Sequence, residues 1–227
     1  MKYEAIIFDL YGTLIDNYSF QEYQQLISQM ATILSIPSEK FSRLWFETSK
    51  KRAIGIFKTT QENIRYICNA LQVNVKQDQI KKVLQLRLNV TRQALKPKSD
   101  AIDTLSKLKH RGFKIGLISN CSAEVPILWK GSQFAKIIDV AIFSSSVGLK
   151  KPDPIIYKLA CEKLDVKPQN CLYIGDGDSH ELTGASQVGL VPILIRDPLE
   201  KDPFHYNDEE EWNGHKISSL KDVFNFL

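Results

Sequence analysis

Ile6-Ile7-Phe8-Asp9-Leu10-Tyr11-Gly12-Thr13-Leu14 is an apolar run that ends abruptly in a carboxylate. The run is short, and Ile-Ile-Phe favours a β-strand, so it predicts a buried strand. Asp9 would then lie at the carboxyl end of that strand, where open α/β sheets bind their ligands. Gly12 permits a tight turn that can direct backbone N–H groups at an anion. Asp9 is therefore a candidate nucleophile or metal ligand, and the alternative is that it caps a turn after a core strand.

The composition is that of an ordinary globular protein. The chain has 227 residues, of which 43% are hydrophobic and 25% are charged, which suits one large domain or a domain with a smaller one inserted. The net charge is +4, and the basic residues are dispersed among acidic ones. We therefore expect no nucleic-acid partner, whereas a small anionic substrate would fit. Either a monomer or a homodimer is compatible with this composition.

The cysteines and the amino-terminal sequence indicate the cellular compartment in which the protein is expected. None of the four cysteines forms a CxxC pair, and no histidine lies at metal-finger spacing, which favours free thiols in a reducing compartment. The first apolar run is too short for a signal peptide, and no segment approaches the length of a membrane span. We therefore expect a cytoplasmic protein that does not bind a membrane.

Residues 17–95 have helical rather than strand-like periodicity. Four amphipathic helices are predicted. The first covers 21–34 and the last covers 77–95. The second begins at Pro37-Ser38 and turns Phe41, Leu44, Trp45 and Thr48 inward, and the third begins with Thr60 as its N-cap. We predict a helical domain over 16–95 that is inserted into an α/β domain formed by 1–15 and 96–227. We interpret four aromatic residues as core of this bundle rather than a binding site: Trp45, Phe46, Phe57 and Tyr66.

After Pro97 apolar strands alternate with amphipathic helices. Strands are predicted over 114–118, 137–143, 171–174 and 191–195, with a short edge element at 216–217. Helices are predicted over 99–110, 123–130, 154–164, 181–188 and 219–227. This order predicts an α/β fold, a doubly wound parallel Rossmann-like sheet covered on both faces, with the helical bundle inserted. We interpret the acidic run 208–211 as a solvated loop.

Polar residues follow four of the predicted strands, and the carboxyl ends of parallel strands line one crevice. Each has a structural alternative when taken alone: Ser119 can cap a helix, and Lys151 can be solvated. Together they supply a nucleophile, hydroxyl groups, a fixed cation and a second acidic cluster, which is what transfer of an anionic group to a carboxylate requires. The residues are Asp9, Gly12 and Thr13, then Ser119 and Asn120, then Lys151, and finally Asp176, Asp178 and Glu181.

In these motifs the chain resembles the haloacid dehalogenase superfamily, whose hydrolases use an aspartate nucleophile. Four motifs appear in order: residues 9–14, Leu117-Ile118-Ser119-Asn120, Lys151-Pro152-Asp153-Pro154, and Gly175-Asp176-Gly177-Asp178 with Glu181. The resemblance implies that the helical insert is a cap of the type placed directly after the first motif.

The resemblance also implies roles for individual residues. Asp9 would attack the substrate and form a covalent intermediate, Thr13 and Ser119 would bind the oxygens of the transferring group, and Lys151 would neutralise its charge. Mg²⁺ would be held by Asp176 with Asp9 and the backbone carbonyl of Tyr11, and supported through water by Asp178 or Glu181. The remaining candidates for substrate binding are Tyr11, Gly12 and Asn120.

Two motifs imply different activities. Phosphatases of the superfamily carry a second aspartate two residues after the nucleophile, and this chain has Tyr11 there, as 2-haloacid dehalogenases do. A tyrosine, with a reference pKa of about 10, is a weaker acid than a carboxyl group, and a halide leaving group needs no proton. At the fourth motif, the sequence of the dehalogenases is similar to Ser-Ser-Asn, and these enzymes need no metal. This chain instead has Asp176 and Asp178 there. Clustered carboxylates repel one another without a cation, which favours Mg²⁺.

The cap also departs from the dehalogenase pattern. The cap arginine of those enzymes follows a Leu-Trp pair, whereas Phe46 follows Leu44-Trp45 here, with Arg43 and Arg52 out of register. Candidates for cap specificity by charge alone are Arg43, Lys50, Arg52 and Lys58. A phosphonatase-like enzyme would use a cap lysine, for which Lys50, Lys51 and Lys58 are candidates, with a solvated helix face as the alternative.

The function that these features favour is a Mg²⁺-dependent phosphatase acting on a small phosphorylated metabolite through an aspartyl-phosphate. His180, Asp178 or a cap side chain would then replace the missing acid. The alternatives are a 2-haloacid dehalogenase-like hydrolase, and a non-catalytic protein that binds Mg²⁺ and phosphate.

Overall fold

Six parallel strands form one sheet in the computed structural model, which describes residues 2–196, 209 and 212–227. The strand order is β3-β2-β1-β4-β5-β6, and every neighbouring pair is parallel. The prediction of a doubly wound parallel sheet is confirmed. The strands are β1 (Ala5–Phe8), β2 (Lys114–Ser119), β3 (Val140–Phe143), β4 (Cys171–Gly175), β5 (Val191–Ile195) and β6 (His215–Ile217).

The strand order places a switch point between β1 and β4. The chain builds β1, β2 and β3 outward on one side and then returns to place β4 against β1. Asp9 directly follows β1, and Asp176 directly follows β4. The backbone N–H of Asp9 donates to the carbonyl of Ile174 at 2.8 Å, so the two strand ends are held side by side. A crevice outside the carboxyl ends of the strands at such a point is the usual ligand site of this fold.

Helices cover both faces of the sheet because alternate strand residues face opposite sides. Ile6 and Phe8 of β1 belong to one buried cluster, and Ala5 and Ile7 belong to another. The first cluster includes residues of α6 (Ala101–His110), α7 (Glu124–Trp129) and the carboxyl-terminal 3₁₀ turns over Leu220–Phe226. The second includes residues of α9 (Pro154–Leu164) and α10 (Glu181–Gln187).

The helical insert has a hydrophobic cluster of its own, centred on buried residues such as Met30, Phe41, Trp45 and Ile64. Its boundaries at 16–95 stay a prediction. The predicted four helices are present, and a short fifth helix, α3, was not anticipated. Thr59 rather than Thr60 is the N-cap of α4, since its hydroxyl accepts from the backbone N–H of Glu62. The helices are α1 (Phe20–Leu34), α2 (Ser38–Glu47), α3 (Ser49–Ala53), α4 (Thr60–Ala70) and α5 (Gln77–Ala94).

Several element bounds differ from the prediction. β3 begins at Val140 rather than at residue 137, because the backbone N–H groups of Ile137 and Ile138 still donate to the Phe134 carbonyl of the preceding 3₁₀ turn. The short helix α8 (Ser144–Val147) directly follows β3 and was not predicted, and the closing helix is 3₁₀ in form. Among the described residues, the structure contains no helix that is long and apolar enough to span a bilayer.

The interpretation of the acidic run as solvated was wrong for Glu209, which is buried. Its carboxylate accepts from the backbone N–H groups of Leu182 and Thr183, at 2.7 and 2.8 Å, and thereby satisfies the first turn of α10. The other members of the run, residues 208, 210 and 211, lie outside the described residues.

Candidate active site

A buried ion-pair network joins three of the sequence motifs at the switch point. The ammonium of Lys151 donates to Asp9 Oδ1 and to Glu181 Oε2, the latter at 2.5 Å. All three residues are buried. Lys151 is therefore a fixed cation beside the candidate nucleophile, and the alternative of a solvated lysine was wrong.

The electrostatics of this network are dominated by burial. Burial raises the pKa of Asp9 to about 6, with a further rise from Asp176, although the charge of Lys151 opposes it. Burial likewise raises the pKa of Glu181 well above its ordinary value, against the effect of Lys151. For Lys151, burial alone would lower the pKa, but the carboxylates of Asp9 and Glu181 outweigh it and raise the pKa. One lysine therefore does not fully compensate the acidic groups.

Glu181 holds the loop that follows β4. Its Oε2 also accepts from the hydroxyl of Tyr173 at 2.6 Å, and its Oε1 accepts from the backbone N–H of Gly177 at 3.1 Å. The hydroxyl of Tyr157 donates to the backbone carbonyl of Glu181 at 3.0 Å. A side chain at position 175 would collide with the Glu181 carboxylate, which explains Gly175. Much of the hydrogen-bonding capacity of Glu181 is thus used within the protein, which suits a role in positioning the loop.

Asp176 faces Asp9 across the crevice. Its Oδ2 accepts from Asn17 Nδ2 at 3.2 Å, and its Oδ1 accepts from the backbone N–H of Asp178 at 3.1 Å. Gly12 has a positive φ of 72°, and a Cβ there would overlap the Asp176 carboxylate. The first motif therefore needs glycine at this position, both for its conformation and for the approach of Asp176.

The carboxylates suit a divalent cation. One oxygen each of Asp9, Asp176 and Glu181 lies within 4.8 Å of the other two. Carboxylate oxygens are the ligands that Mg²⁺ prefers, and a cation would offset the repulsion among these groups. Asp178 lines the adjoining cavity but is exposed and is not a member of this cluster. The carbonyl of Tyr11 as a ligand stays a prediction.

Two buried hydroxyl groups of the first and second motifs lack partners. Thr13 Oγ1 and Ser119 Oγ are fully buried, and neither has a hydrogen-bond partner among the described residues. An unsatisfied buried hydroxyl costs about 1–3 kcal/mol, so this pair, which belongs to the first and second motifs, suits the oxygen atoms of a ligand. The alternative that Ser119 caps a helix was wrong, since its hydroxyl bonds to no backbone group.

Asn120 links the end of β2 to the segment that carries Lys151. Its side chain lines the cavity, but Oδ1 accepts from the backbone N–H of Lys151 at 2.9 Å, and Nδ2 donates to the Lys151 carbonyl at 3.2 Å. Its amide therefore holds the Lys151 segment, and direct substrate binding by Asn120 stays a prediction. The amide has one further N–H and one further lone pair for another partner.

A cavity of 620 Å³ opens above this network, within the usual size range of small-molecule sites. Its floor is formed by residues of the strand ends, including Asp9, Lys151 and Asp176. The helical insert and the segment before it supply aromatic side chains, which we call the aromatic wall: Tyr11, Tyr18, Phe20, Tyr23 and Phe46.

The interpretation of the insert's aromatic residues as bundle core was correct for Trp45 and wrong for Phe46 and Tyr66. Trp45 is fully buried, whereas Phe46 and Tyr66 are 41% and 44% exposed. Phe46 follows Trp45 on α2 and therefore points to another side of the helix, into the cavity. Phe57 is half-buried and packs against Tyr66.

The cap cation that lines the cavity is Arg87, which the sequence reasoning missed. It lies on α5 at the spacing of the buried residues Val83 and Thr91, so a cation within an apolar stripe was the available signal. Arg87 Nε donates to Glu124 of α7 at 2.7 Å, and its Nη2 donates to Ser122 at 3.3 Å. This buried ion pair joins the helical insert to the sheet domain.

The cations chosen by charge do not line the cavity. Arg43 pairs with Glu47 on the surface of α2. Arg52 is buried against the Trp45 ring and donates to the Trp45 carbonyl at 2.6 Å. The phosphonatase-like alternative is not supported, because its candidate lysines are exposed and lie outside the cavity: Lys50, Lys51 and Lys58. His180 is also exposed and outside the cavity, so its role as the acid is not supported either.

Comparison with known proteins identifies relatives over most of the chain. A family model for a haloacid dehalogenase-like hydrolase matches residues 3–189. (S)-2-haloacid dehalogenase 4A of Burkholderia cepacia is 28% identical, covering 98% of this chain and 94% of that protein. Glyceraldehyde 3-phosphate phosphatase of Methanopyrus kandleri is 32% identical over 51% of this chain and 50% of that protein. Relatives of both activities occur, so the specific reaction is left open.

Solved structures agree in fold. A 2-haloacid dehalogenase from Pseudomonas syringae pv. Tomato DC3000 superposes with a TM-score of 0.70 at 21% identity, covering 98% of this chain and 97% of that one. A HAD phosphatase from Thermococcus onnurineus gives a TM-score of 0.65 at 19% identity, with the same two coverages. The four motifs, their convergence at one switch point and the match over residues 3–189 lead to one conclusion: the chain belongs to the haloacid dehalogenase-like hydrolases.

Proposed function

We propose that this hydrolase is a Mg²⁺-dependent phosphatase that acts on a small phosphorylated organic molecule. The supporting observation is the cluster of the Asp9, Asp176 and Glu181 carboxylates, in a chain whose first and second motifs also carry the buried, unpartnered hydroxyls of Thr13 and Ser119. Carboxylates suit a cation, and buried hydroxyls suit the oxygens of a phosphoryl group. The carboxylate of a 2-haloacid also offers oxygen atoms, so it is the acidic cluster, rather than the hydroxyls, that favours a phosphatase.

Asp9 would carry the covalent chemistry. Its carboxylate oxygen attacks phosphorus while the P–O bond to the organic group breaks, and the alcohol leaves with that electron pair and takes up a proton. Water then attacks the phosphorus of the aspartyl-phosphate and loses a proton, which regenerates Asp9 and releases inorganic phosphate. Lys151 neutralises the phosphoryl charge in both steps, and Thr13 and Ser119 orient the oxygens.

Bound Mg²⁺ would supply further charge neutralisation at the phosphoryl group. Asp9 and Asp176 would hold it, and Glu181 would keep the loop after β4 in place through Tyr173 and Gly177. The raised pKa of Asp9 supports this assignment, since the site without a cation does not favour a charged nucleophile.

The deciding experiment compares two substrates, p-nitrophenyl phosphate and L-2-chloropropionate, each with Mg²⁺ and with EDTA. We expect phosphate release that EDTA abolishes and no chloride release. Chloride release that is indifferent to EDTA would overturn the proposal and favour a dehalogenase. Mg²⁺ binding without either product would favour a non-catalytic protein.

Two features support the dehalogenase alternative: Tyr11 in the first motif, and the similarity to relatives named as dehalogenases. The arrangement of the cap weakens it, because Phe46 reaches the cavity at the position after Leu44-Trp45. Arg87 is the cavity arginine among the described residues, and Glu124 already pairs with it. A substrate carboxylate would have to compete with that buried ion pair.

Asp176→Asn is expected to lower the Mg²⁺-dependent kcat by about 100-fold, because loss of even a supporting metal contact costs 10–100-fold. Mg²⁺ affinity, measured by calorimetry, should fall in parallel. Asp165→Asn, the same change at an exposed site that ends α9, is the control and should leave both quantities unchanged. Unaltered Mg²⁺ affinity in the Asp176 variant would exclude this residue as a ligand.

Tyr11→Asp is expected to raise kcat for an alkyl phosphate by at least about tenfold, because general acid–base catalysis contributes 10²–10⁴-fold. In the wild type, burial raises the pKa of Tyr11 well above 10, so its hydroxyl is a weak acid. Tyr11→Phe is the matched control and should show no gain. A folded Tyr11→Asp variant without a gain would mean that another group, for which Asp178 is the cavity candidate, already donates the proton.

A further inference from the structure

The two ends of the cavity differ in polarity. The floor carries charged groups, among them Asp9, Lys151 and Asp176. On the aromatic wall, Trp45 Nε1 donates to the hydroxyl of Tyr23 at 2.9 Å, so this polar group is already engaged. The floor therefore suits a charged ligand group, whereas the wall offers the cavity mainly ring carbon.

The charged residue beside the wall is also satisfied. Arg87 is paired with Glu124 at 2.7 Å and bonded to Ser122 at 3.3 Å. A second anionic group on the substrate would have to share a guanidinium that a buried carboxylate already neutralises. This arrangement favours an organic group without charge.

The rings of the wall form a continuous series. The centroids of Tyr11 and Tyr18 are 5.9 Å apart, those of Tyr18 and Tyr23 are 5.9 Å apart, and those of Tyr23 and Phe46 are 6.0 Å apart. Interplanar angles of 32°, 43° and 64° are tilted or edge-on, the arrangements in which aromatic rings attract one another. A further ring placed in the cavity could extend this series.

Two large apolar side chains of the wall are exposed without a ligand. Phe20 and Phe46 are each 41% exposed, and both line the cavity. Exposed apolar side chains that converge on one cleft indicate a binding surface. The cavity of 620 Å³ also has room for about twenty water-sized volumes, which exceeds what a phosphate on a two-carbon chain would fill.

We infer that the organic group of the substrate is an uncharged aromatic ring, bound against Tyr18, Tyr23 and Phe46, while its phosphate lies on the floor. This inference rests on the proposed phosphatase function. It assigns the aromatic wall to substrate selection, and it separates the substrate from sugar phosphates and phosphorylated hydroxy acids, whose organic groups are polar.

The test compares 2-phenylethyl phosphate with ethyl phosphate in the presence of Mg²⁺. Both release a primary alcohol, so leaving-group acidity does not separate them. We expect kcat/KM to be at least about tenfold higher for the phenyl compound, since burying a ring against aromatic side chains supplies that much binding. Phe46→Ala should remove most of this preference, and Ile56→Ala, which truncates an exposed apolar side chain of the insert outside the cavity, should retain it.

Calorimetric binding of the corresponding phosphonates makes the outcome independent of turnover. Preferential binding of 2-phenylethylphosphonate over ethylphosphonate, lost in Phe46→Ala and also in Tyr18→Leu, supports the inference even where no ester is hydrolysed. Selective phosphonate binding without ester hydrolysis would contradict the proposed phosphatase activity and leave the aromatic-ring inference supported. Equal kcat/KM for the two esters and equal affinity for the two phosphonates would overturn the inference and leave the proposed phosphatase standing.

Discussion

Asp9→Asn is expected to lower kcat for phosphate-ester hydrolysis by at least about 10⁴-fold, the scale on which loss of a nucleophile acts. An amide oxygen is a much weaker nucleophile than a carboxylate, and the variant keeps the size and shape of the side chain. Asp9 directly follows β1 and contacts Lys151, and it is the carboxylate of the cluster that lies in the first motif. The measurement is steady-state phosphate release in the presence of Mg²⁺.

The matched control is Asp103→Asn, the same chemical change at an exposed residue of α6 that pairs with Lys107. It should retain wild-type kcat, and circular dichroism should report the same fold for both variants. A second readout tests the covalent step directly. Wild-type enzyme quenched during turnover should carry an acid-stable, base-labile phosphoryl group that Asp9→Asn lacks, and retained turnover in the folded Asp9→Asn variant would exclude Asp9 as the nucleophile.

The strand-end residues could be predicted because their placement follows from local rules. An apolar run ending in Asp9 indicates a buried strand, and alternation of strands with helices indicates parallel pairing. Parallel pairing then brings the ends of β1 and β4 to one edge, whatever the details of the loops. Asp9, Ser119, Lys151 and Asp176 needed no knowledge of side-chain contacts to be placed together.

The cavity wall could not be predicted in the same way, because it depends on contacts between distant parts of the chain. Helical periodicity separates the buried side of α2 from its other sides, but it does not say which of those others faces the sheet domain. Phe46 was therefore indistinguishable from an ordinary surface or core residue. Glu209 contacts α10 across 27 positions of sequence, and an acidic run gives no sign of such a contact.

Arg87 illustrates the same limit, since 37 positions separate it from Glu124. A cation at a buried position of an amphipathic helix requires a partner, but the sequence does not identify which acid supplies it. Burial alone would raise the pKa of Glu124, but the guanidinium of Arg87 and its hydrogen bond outweigh burial and lower the pKa to about 2. The pair is therefore ionised at neutral pH and holds α5 against α7.

Arg87→Met is expected to lower the free energy of unfolding by about 3–5 kcal/mol, because it leaves the Glu124 carboxylate buried without its cation. One oxygen of that carboxylate, Oε2, already has no hydrogen-bond partner among the described residues. Urea unfolding at pH 7 measures the loss. Arg43→Met breaks an exposed ion pair with Glu47 and is the matched control, for which the expected loss is under about 1 kcal/mol.

The pH dependence of the same variant tests whether the ion pair is the cause. Because the folded-state pKa of Glu124 is lowered to about 2, its stabilising contribution is complete above its ordinary value near 4.5 and is lost as the pH falls toward 2. The difference in stability between wild type and Arg87→Met should therefore shrink over that interval. The double variant Arg87→Met/Glu124→Met should recover most of the loss at pH 7, since apolar replacements of buried ion pairs are often neutral. A loss equal to that of Arg43→Met would mean that the pair does not hold the insert to the sheet domain.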